Sequence, residues 1–182
     1  MGPELLSTEW DQVWGTLTTI LERRSVQAGY VVSAVVLVAV LLLWARRAGW
    51  SSGRTVVGVL AALSLALFPA LTLARRGLDL RRRPTCDLTW SVGAGNAEQL
   101  LNLVLLVPAG FFAAWALQRF WVVVVTAVAL SVGAETLQAA LDIGACQGGD
   151  VARNVAGAVV GAALGFLAAR LNPAGRDLRG SG

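Results

Sequence analysis

The chain has no histidine and no lysine, one tyrosine, one methionine and only two cysteines, Cys86 and Cys146. The missing histidine removes the commonest general base and the commonest transition-metal ligand, so any acid–base chemistry falls to Asp, Glu, Tyr or Cys. Without lysine, every basic residue is an arginine, and the arginines stand in short clusters beside apolar runs. That distribution argues against nucleic acid as a partner and for contact with anionic lipid headgroups. Charge is scarce throughout: 14% of the 182 residues are charged, 56% are hydrophobic and the mean hydropathy is +0.66.

The apolar residues are gathered into uncharged runs, each near the ~20 residues that cross the hydrocarbon core of a bilayer. A soluble core does not hold five such runs in series with so few charges between them. The sequence therefore predicts an all-α membrane protein of about five transmembrane helices, preceded by an N-terminal amphipathic interfacial helix. Residues 1–27 form that interfacial piece. Leu6, Trp10, Val13, Trp14, Leu17 and Leu21 fall on one helical face, opposite Glu9, Asp11, Gln12, Thr16 and Thr19. The alternative is a surface helix packed on the bundle. Residues 28–74 hold two spans, about 29–45 and 55–74, and the first is read as a retained span rather than a cleaved signal. Residues 75–99 are a polar linker, a loop or a short interfacial piece. Residues 100–171 hold three more spans, about 100–117, 120–141 and 150–171, with a kink expected at Pro108 in the first of them. Residues 172–182 are a Pro/Gly/Arg-rich tail expected to be disordered.

The informative residues are polar ones inside these spans. Ser131, Glu135, Gln138 and Asp142 follow one another at i, i+4, i+7 and i+11, and Asp150, Asn154, Gly157 and Gly161 repeat the spacing. On a helix, such positions return to one face. An ionisable group at the bilayer centre costs roughly 2.5–3.5 kcal/mol on insertion scales, so it marks a functional site by default. Glu135 lies about 9 Å from the end of its helix at 1.5 Å per residue. Asp150 and Asn154 open the next span, and Asn102 opens the third, all on one membrane side. Asn102, Glu135, Gln138, Asp150 and Asn154 are therefore expected to converge on one polar pocket at headgroup level. Polar glue between helices is the alternative. It accounts for the amides better than for two acids. Gly157, Gly161 and Gly165 make a small-residue ridge for close helix packing. Arg153, in a first helical turn, either holds a phosphate or touches lipid headgroups.

Three stretches combine in order: Asn102-x5-Pro108-x-Gly110; Ser131-x3-Glu135-x2-Gln138; and Cys146-Gln147-x2-Asp150-x3-Asn154-x2-Gly157-x3-Gly161. In this order and setting the chain resembles the VanZ-like family of bacterial membrane proteins, over roughly residues 96–171, and looks most like its actinobacterial branch. The resemblance implies a multi-pass protein of the bacterial plasma membrane, linked to the cell envelope and to glycopeptide (teicoplanin-type) resistance. Kinship with enzymes that exchange lipid headgroups is a further analogy.

Three functions follow from these residues. In the first, the protein is an enzyme acting on a lipid or lipid-linked headgroup. Glu135 or Asp150 is then the general acid or base, Asn102, Ser131, Gln138 and Asn154 orient the substrate, and Arg153 holds phosphate. Two carboxylates can also hold a divalent cation such as Mg²⁺ or Ca²⁺, but two acids plus amides are a thin ligand set, so no cofactor is required. The second function is non-catalytic binding of lipid or antibiotic in the same pocket. The third, proton-coupled transport, is the weakest, because the chain has no repeat and the polar stripe reaches one side only.

Arginine totals do not separate the two membrane faces. Arg46, Arg47 and Arg119, however, abut span ends in very short loops, which favours their face as cytoplasmic. Cys86 and Cys146 are two crossings apart and so share the face on which the pocket opens. Together with the resemblance, this makes the pocket face extracytoplasmic and a Cys86–Cys146 disulfide an expectation.

Overall fold

The computed structural model describes residues 14–15, 17–73, 87, 89–93, 95–141 and 147–171. Six helices follow a helical turn at 17–21: α1 (Arg24–Arg47), α2 (Ser52–Leu73), α3 (Ala97–Leu105), α4 (Val107–Leu117), α5 (Phe120–Ala140) and α6 (Gly148–Leu171). With α3 and α4 taken as one path, five helices among the described residues are long and apolar enough to cross a membrane. The protein is an all-α membrane protein, as its composition predicts.

The break in the third span lies at Leu106, between α3 and α4. Pro108 sits one turn after Val104. Its ring carries no N–H, so the Val104 carbonyl loses its ordinary helical donor and the chain bends there. Leu106 at the corner is 2% exposed and packs with Phe68, Ala109, Ala127, Ala134 and Ala158, which places the central core at the bend. Gln118, with φ of 56°, terminates α4 in the left-handed region and turns the chain directly into α5.

The most buried of the five membrane-crossing elements is α6. It packs most extensively on α4, then on α5 and α3, while α1 packs mainly on α2. The close approach of α6 has a stereochemical cause. A Cβ added at Gly157, Gly161 or Gly165 would fall on the carbonyl oxygen of Leu103, Val107 or Phe111 respectively. Gly110 returns the contact from α4, where an added Cβ would lie 2.6 Å from the Ala158 carbonyl. The backbones touch from Gly157 to Gly165, about two helical turns at 3.6 residues per turn, a separation open only to glycine. Gly133 on α5 is the opposite case, with no atom within 4 Å of its added Cβ.

At the N-terminal end, Ile20 is 6% exposed and packs with Val26 and Ala70, so the turn ahead of α1 lies against the bundle. Trp14 is exposed. Leu6, Trp10 and Val13 of the expected apolar face lie outside the described residues, as do the tail 172–182 and the first part of the linker, 75–86.

Two glycine substitutions should separate these environments. Gly161→Val meets backbone that cannot swing away, so it should cost at least about 1–3 kcal/mol, the ordinary range for overpacking. Gly133→Ala should be neutral or stabilising by up to about 1 kcal/mol through helix propensity. Thermal melts of the detergent-solubilised protein followed by circular dichroism check both, with Tm falling for the first variant and not for the second.

Candidate functional site

The site is assembled where the C-terminal end of α5, the N-terminal end of α6 and the linker ahead of α3 meet. On α5, Ser131, Ala134 and Glu135 are buried. Glu135 is 8% exposed, and its Oε2 accepts the Gln147 N–H at 2.8 Å. Gln147 immediately precedes α6. The carboxylate therefore meets one of the N–H groups that a helix start leaves without an intrahelical acceptor, at the positive end of the helix dipole. Asp150 stands close enough for its charge to act on Glu135.

On α6, Asp150 and Arg153 form an ion pair at 2.8 Å between Oδ1 and Nη1, with side chains 19% and 5% exposed. Arg153 also donates from Nε to the Gly93 carbonyl at 2.8 Å, and its guanidinium lies over Gly149. One arginine thus neutralises the acid on its own helix and ties the linker down onto α6. A second tie lies nearby. Asp87 and Gln147 pair in parallel, and the Gly148 N–H donates to the Asp87 carbonyl at 2.8 Å. The linker is therefore a backbone strap over the start of α6. The Asp87 carboxylate accepts the backbone N–H and then the hydroxyl of Thr89, and these bonds hold it below the usual carboxylate pKa range. Asn96 starts α3 by accepting the Gln99 N–H at 2.9 Å, an N-cap contact.

Among the described residues, two buried polar atoms on α5 and α6 have no hydrogen-bond partner: Ser131 Oγ, with the residue fully buried, and Asn154 Oδ1, with the residue 3% exposed. Ser131 is one turn before Glu135 on α5, and Asn154 one turn after Asp150 on α6. The other two residues of the expected pocket lie toward α2. Gln138 donates from Nε2 to the Thr72 carbonyl at 2.6 Å, and Asn102 lines a cavity with Thr72. The arrangement thus has two parts joined through α5. Glu135, Asp150 and Arg153 lie where the end of α5 joins the start of α6, with Ser131 and Asn154 one turn along each helix, and Asn102 and Gln138 lie toward α2. Cys86, Asp142 and Cys146 lie outside the described residues.

The spacing of the sequence brought attention to the acids and amides but not to their partners. The Asp150–Arg153 clamp was legible in principle, since i, i+3 pairs face each other on a helix. Nothing in the sequence signalled that Arg153 reaches Gly93, or that the Glu135 carboxylate takes a backbone N–H of the next helix. For a divalent cation, Asp150 already carries a cationic partner. Glu135 is left as the acid of the pair with no arginine partner among the described residues.

Five apolar helices of membrane-crossing length among the described residues define a multi-pass membrane protein. A family profile described as VanZ/LLP1 matches residues 28–169, and the chain belongs to that family. No curated protein and no solved structure matches it.

The clamp yields a stability prediction. Arg153→Met leaves Asp150 partly buried without its cation and should cost about 3–5 kcal/mol, as removal of one partner of a buried pair typically does. Asp150→Asn combined with Arg153→Met should recover a large part of that loss. Thermal melts of each single variant, the double variant and the wild type measure the coupling.

Proposed function

We propose that the protein acts on the headgroup of a membrane lipid or lipid-linked envelope precursor at the extracytoplasmic face, and that this chemistry underlies a link to glycopeptide (teicoplanin-type) resistance. The observation that carries the reading is the pair of atoms unpartnered among the described residues, Ser131 Oγ and Asn154 Oδ1, buried one turn from Glu135 on α5 and one turn from Asp150 on α6. Polar residues that merely glue helices satisfy one another, because an unmet polar group in hydrocarbon is costly. Here hydrogen-bonding capacity is left open one turn along the helix from each acid, as a substrate site requires.

Glu135 is the general base and then the general acid. It takes a proton from the attacking hydroxyl and returns it to the leaving oxygen. Ser131 and Asn154 orient the headgroup, with Asn102 and Gln138 on its α2 side. Asp150 and Arg153 position the start of α6, and Arg153 does so with Nε and Nη1 already engaged. This makes Arg153 a positioning residue more readily than a phosphate holder. A non-catalytic binder would use the same atoms without turnover.

The very short connections at Arg46–Ser51 and Gln118–Arg119 support a cytoplasmic location for the opposite face. A Cys86–Cys146 disulfide belongs to the same reading. Each cysteine directly precedes one member of the Asp87–Gln147 pair. The bond would close a loop of about 60 residues and stabilise the strap by roughly 3–5 kcal/mol before strain.

Two outcomes test the reading. Glu135→Gln keeps an oxygen for the Gln147 N–H, so the variant should reach the membrane at wild-type level yet lose headgroup modification of labelled envelope lipids, and any resistance phenotype with it. Wild-type turnover in this variant would return Glu135 to a structural role. Retention of lipid without turnover in the wild type would make the protein a binder. Mass spectrometry of a non-reduced digest should find the Cys86 and Cys146 peptides linked. Two freely alkylated thiols in protein purified without reductant would count against both the bond and the orientation.

A further inference from the structure

A cavity of about 260 Å³ lies between the turn ahead of α1, α2 and the α3–α4 bend. Its walls are apolar: Leu17 and Leu21 from the turn, Leu67 and Leu71 from α2, and Leu105 and Pro108 from α3–α4. Polarity enters at one end only, through Asn102 and Thr72. The Asn102 amide makes no side-chain hydrogen bond among the described residues. At the rim, Val104 is 51% exposed and Leu21 is 41% exposed, so the cavity opens sideways into the bilayer.

Depth connects this cavity to the carboxylate. Asn102 lies five residues inside the start of α3 and Glu135 five residues inside the end of α5. Both are therefore about 7–8 Å from the same membrane face at 1.5 Å per residue. The link between them is short. Thr72, in the cavity wall, accepts through its carbonyl from Gln138, less than one turn beyond Glu135.

Size and chemistry restrict the occupant. An α-helix is about 10–12 Å across, too wide for a slot between elements already in contact. Water is a poor tenant of an apolar cavity, which stays dry or takes an apolar guest. A single hydrocarbon chain, already present in the surrounding bilayer, fits both the walls and the lateral opening.

We propose that this cavity holds one acyl chain of a phospholipid, with the polar end of that chain against Asn102 and Thr72, so that the headgroup is presented toward Glu135. The proposal rests on the headgroup reading above for its consequence, but tail binding is measurable without turnover.

The test uses the full-length protein in vesicles containing a phosphatidylglycerol with a photoactivatable diazirine midway along one acyl chain. Labelling should concentrate on peptides carrying Leu67–Thr72 and Leu101–Leu105. Val104→Trp places a ring at the rim from a half-exposed position, so no buried neighbour is displaced. It should reduce that labelling about tenfold, the factor equivalent to 1.4 kcal/mol. Gly133→Leu, on α5, lines a different cavity and has open space around its Cβ. It should leave the labelling unchanged, and it reports that folding and vesicle insertion are intact.

Even labelling across the exposed valines of α1, as ordinary boundary lipid would give, would overturn the proposal. Unchanged labelling in Val104→Trp, or loss of labelling in Gly133→Leu, would overturn it equally. Competition by an unlabelled polyprenyl phosphate but not by unlabelled phospholipid would also contradict it, and would make the occupant a prenyl chain. The two readings fail separately. Specific tail labelling without headgroup chemistry leaves the slot standing and removes the enzyme, while headgroup chemistry without specific labelling does the reverse.

Discussion

How closely α6 can approach α3 and α4 governs the rest of the site. Gly157, Gly161 and Gly165 set the α6 backbone against the carbonyls of Leu103, Val107 and Phe111, and Gly110 completes the contact from the other side. In a bilayer, helices gain little from hiding apolar surface from one another, so association relies on packing and interhelical polar contacts. That backbone contact fixes the height and rotation of α6. It also keeps Asn154 inside the bundle rather than facing lipid.

Electrostatics then complete what packing begins. The start of α6 offers backbone N–H groups and a positive dipole end, and Glu135 supplies the carboxyl oxygen that meets them at the Gln147 N–H. Asp150 in the first turn has its own cation in Arg153. Arg153 spends a second donor on Gly93, so the clamp inside the helix also secures the strap outside it. The polar residues are therefore unequal. Some are satisfied and hold the architecture, while Ser131 and Asn154 are buried with capacity to spare.

Much of this was legible in the chain. Uncharged runs of membrane length gave the helices, and Pro108 marked the bend, which the structure places at Leu106. The i, i+4, i+7 recurrence from Ser131 singled out the buried face of α5 at Ser131 and Glu135. Gln138 is the instructive departure. It lies about 60° around the helix from Glu135 at 100° per residue, enough for its amide to reach α2 instead of α6. The linker was illegible for a different reason. Its attachments are backbone bonds at Asp87 and Gly93, and a carbonyl oxygen leaves no trace in residue type. The cavity beside Asn102 was hidden as well, because its walls are leucines that look in sequence like any other lipid-facing positions.

The central claim is that the open hydrogen-bonding capacity of Ser131 and Asn154 belongs to a ligand. A structure of the protein in nanodiscs of native envelope lipid tests it most directly. The account predicts density for a polar headgroup within hydrogen-bonding distance of Ser131 Oγ and Asn154 Oδ1, adjacent to the Glu135 carboxylate. Ser131 and Asn154 turned onto backbone carbonyls of their own helices, with no headgroup density beside Glu135, would contradict it.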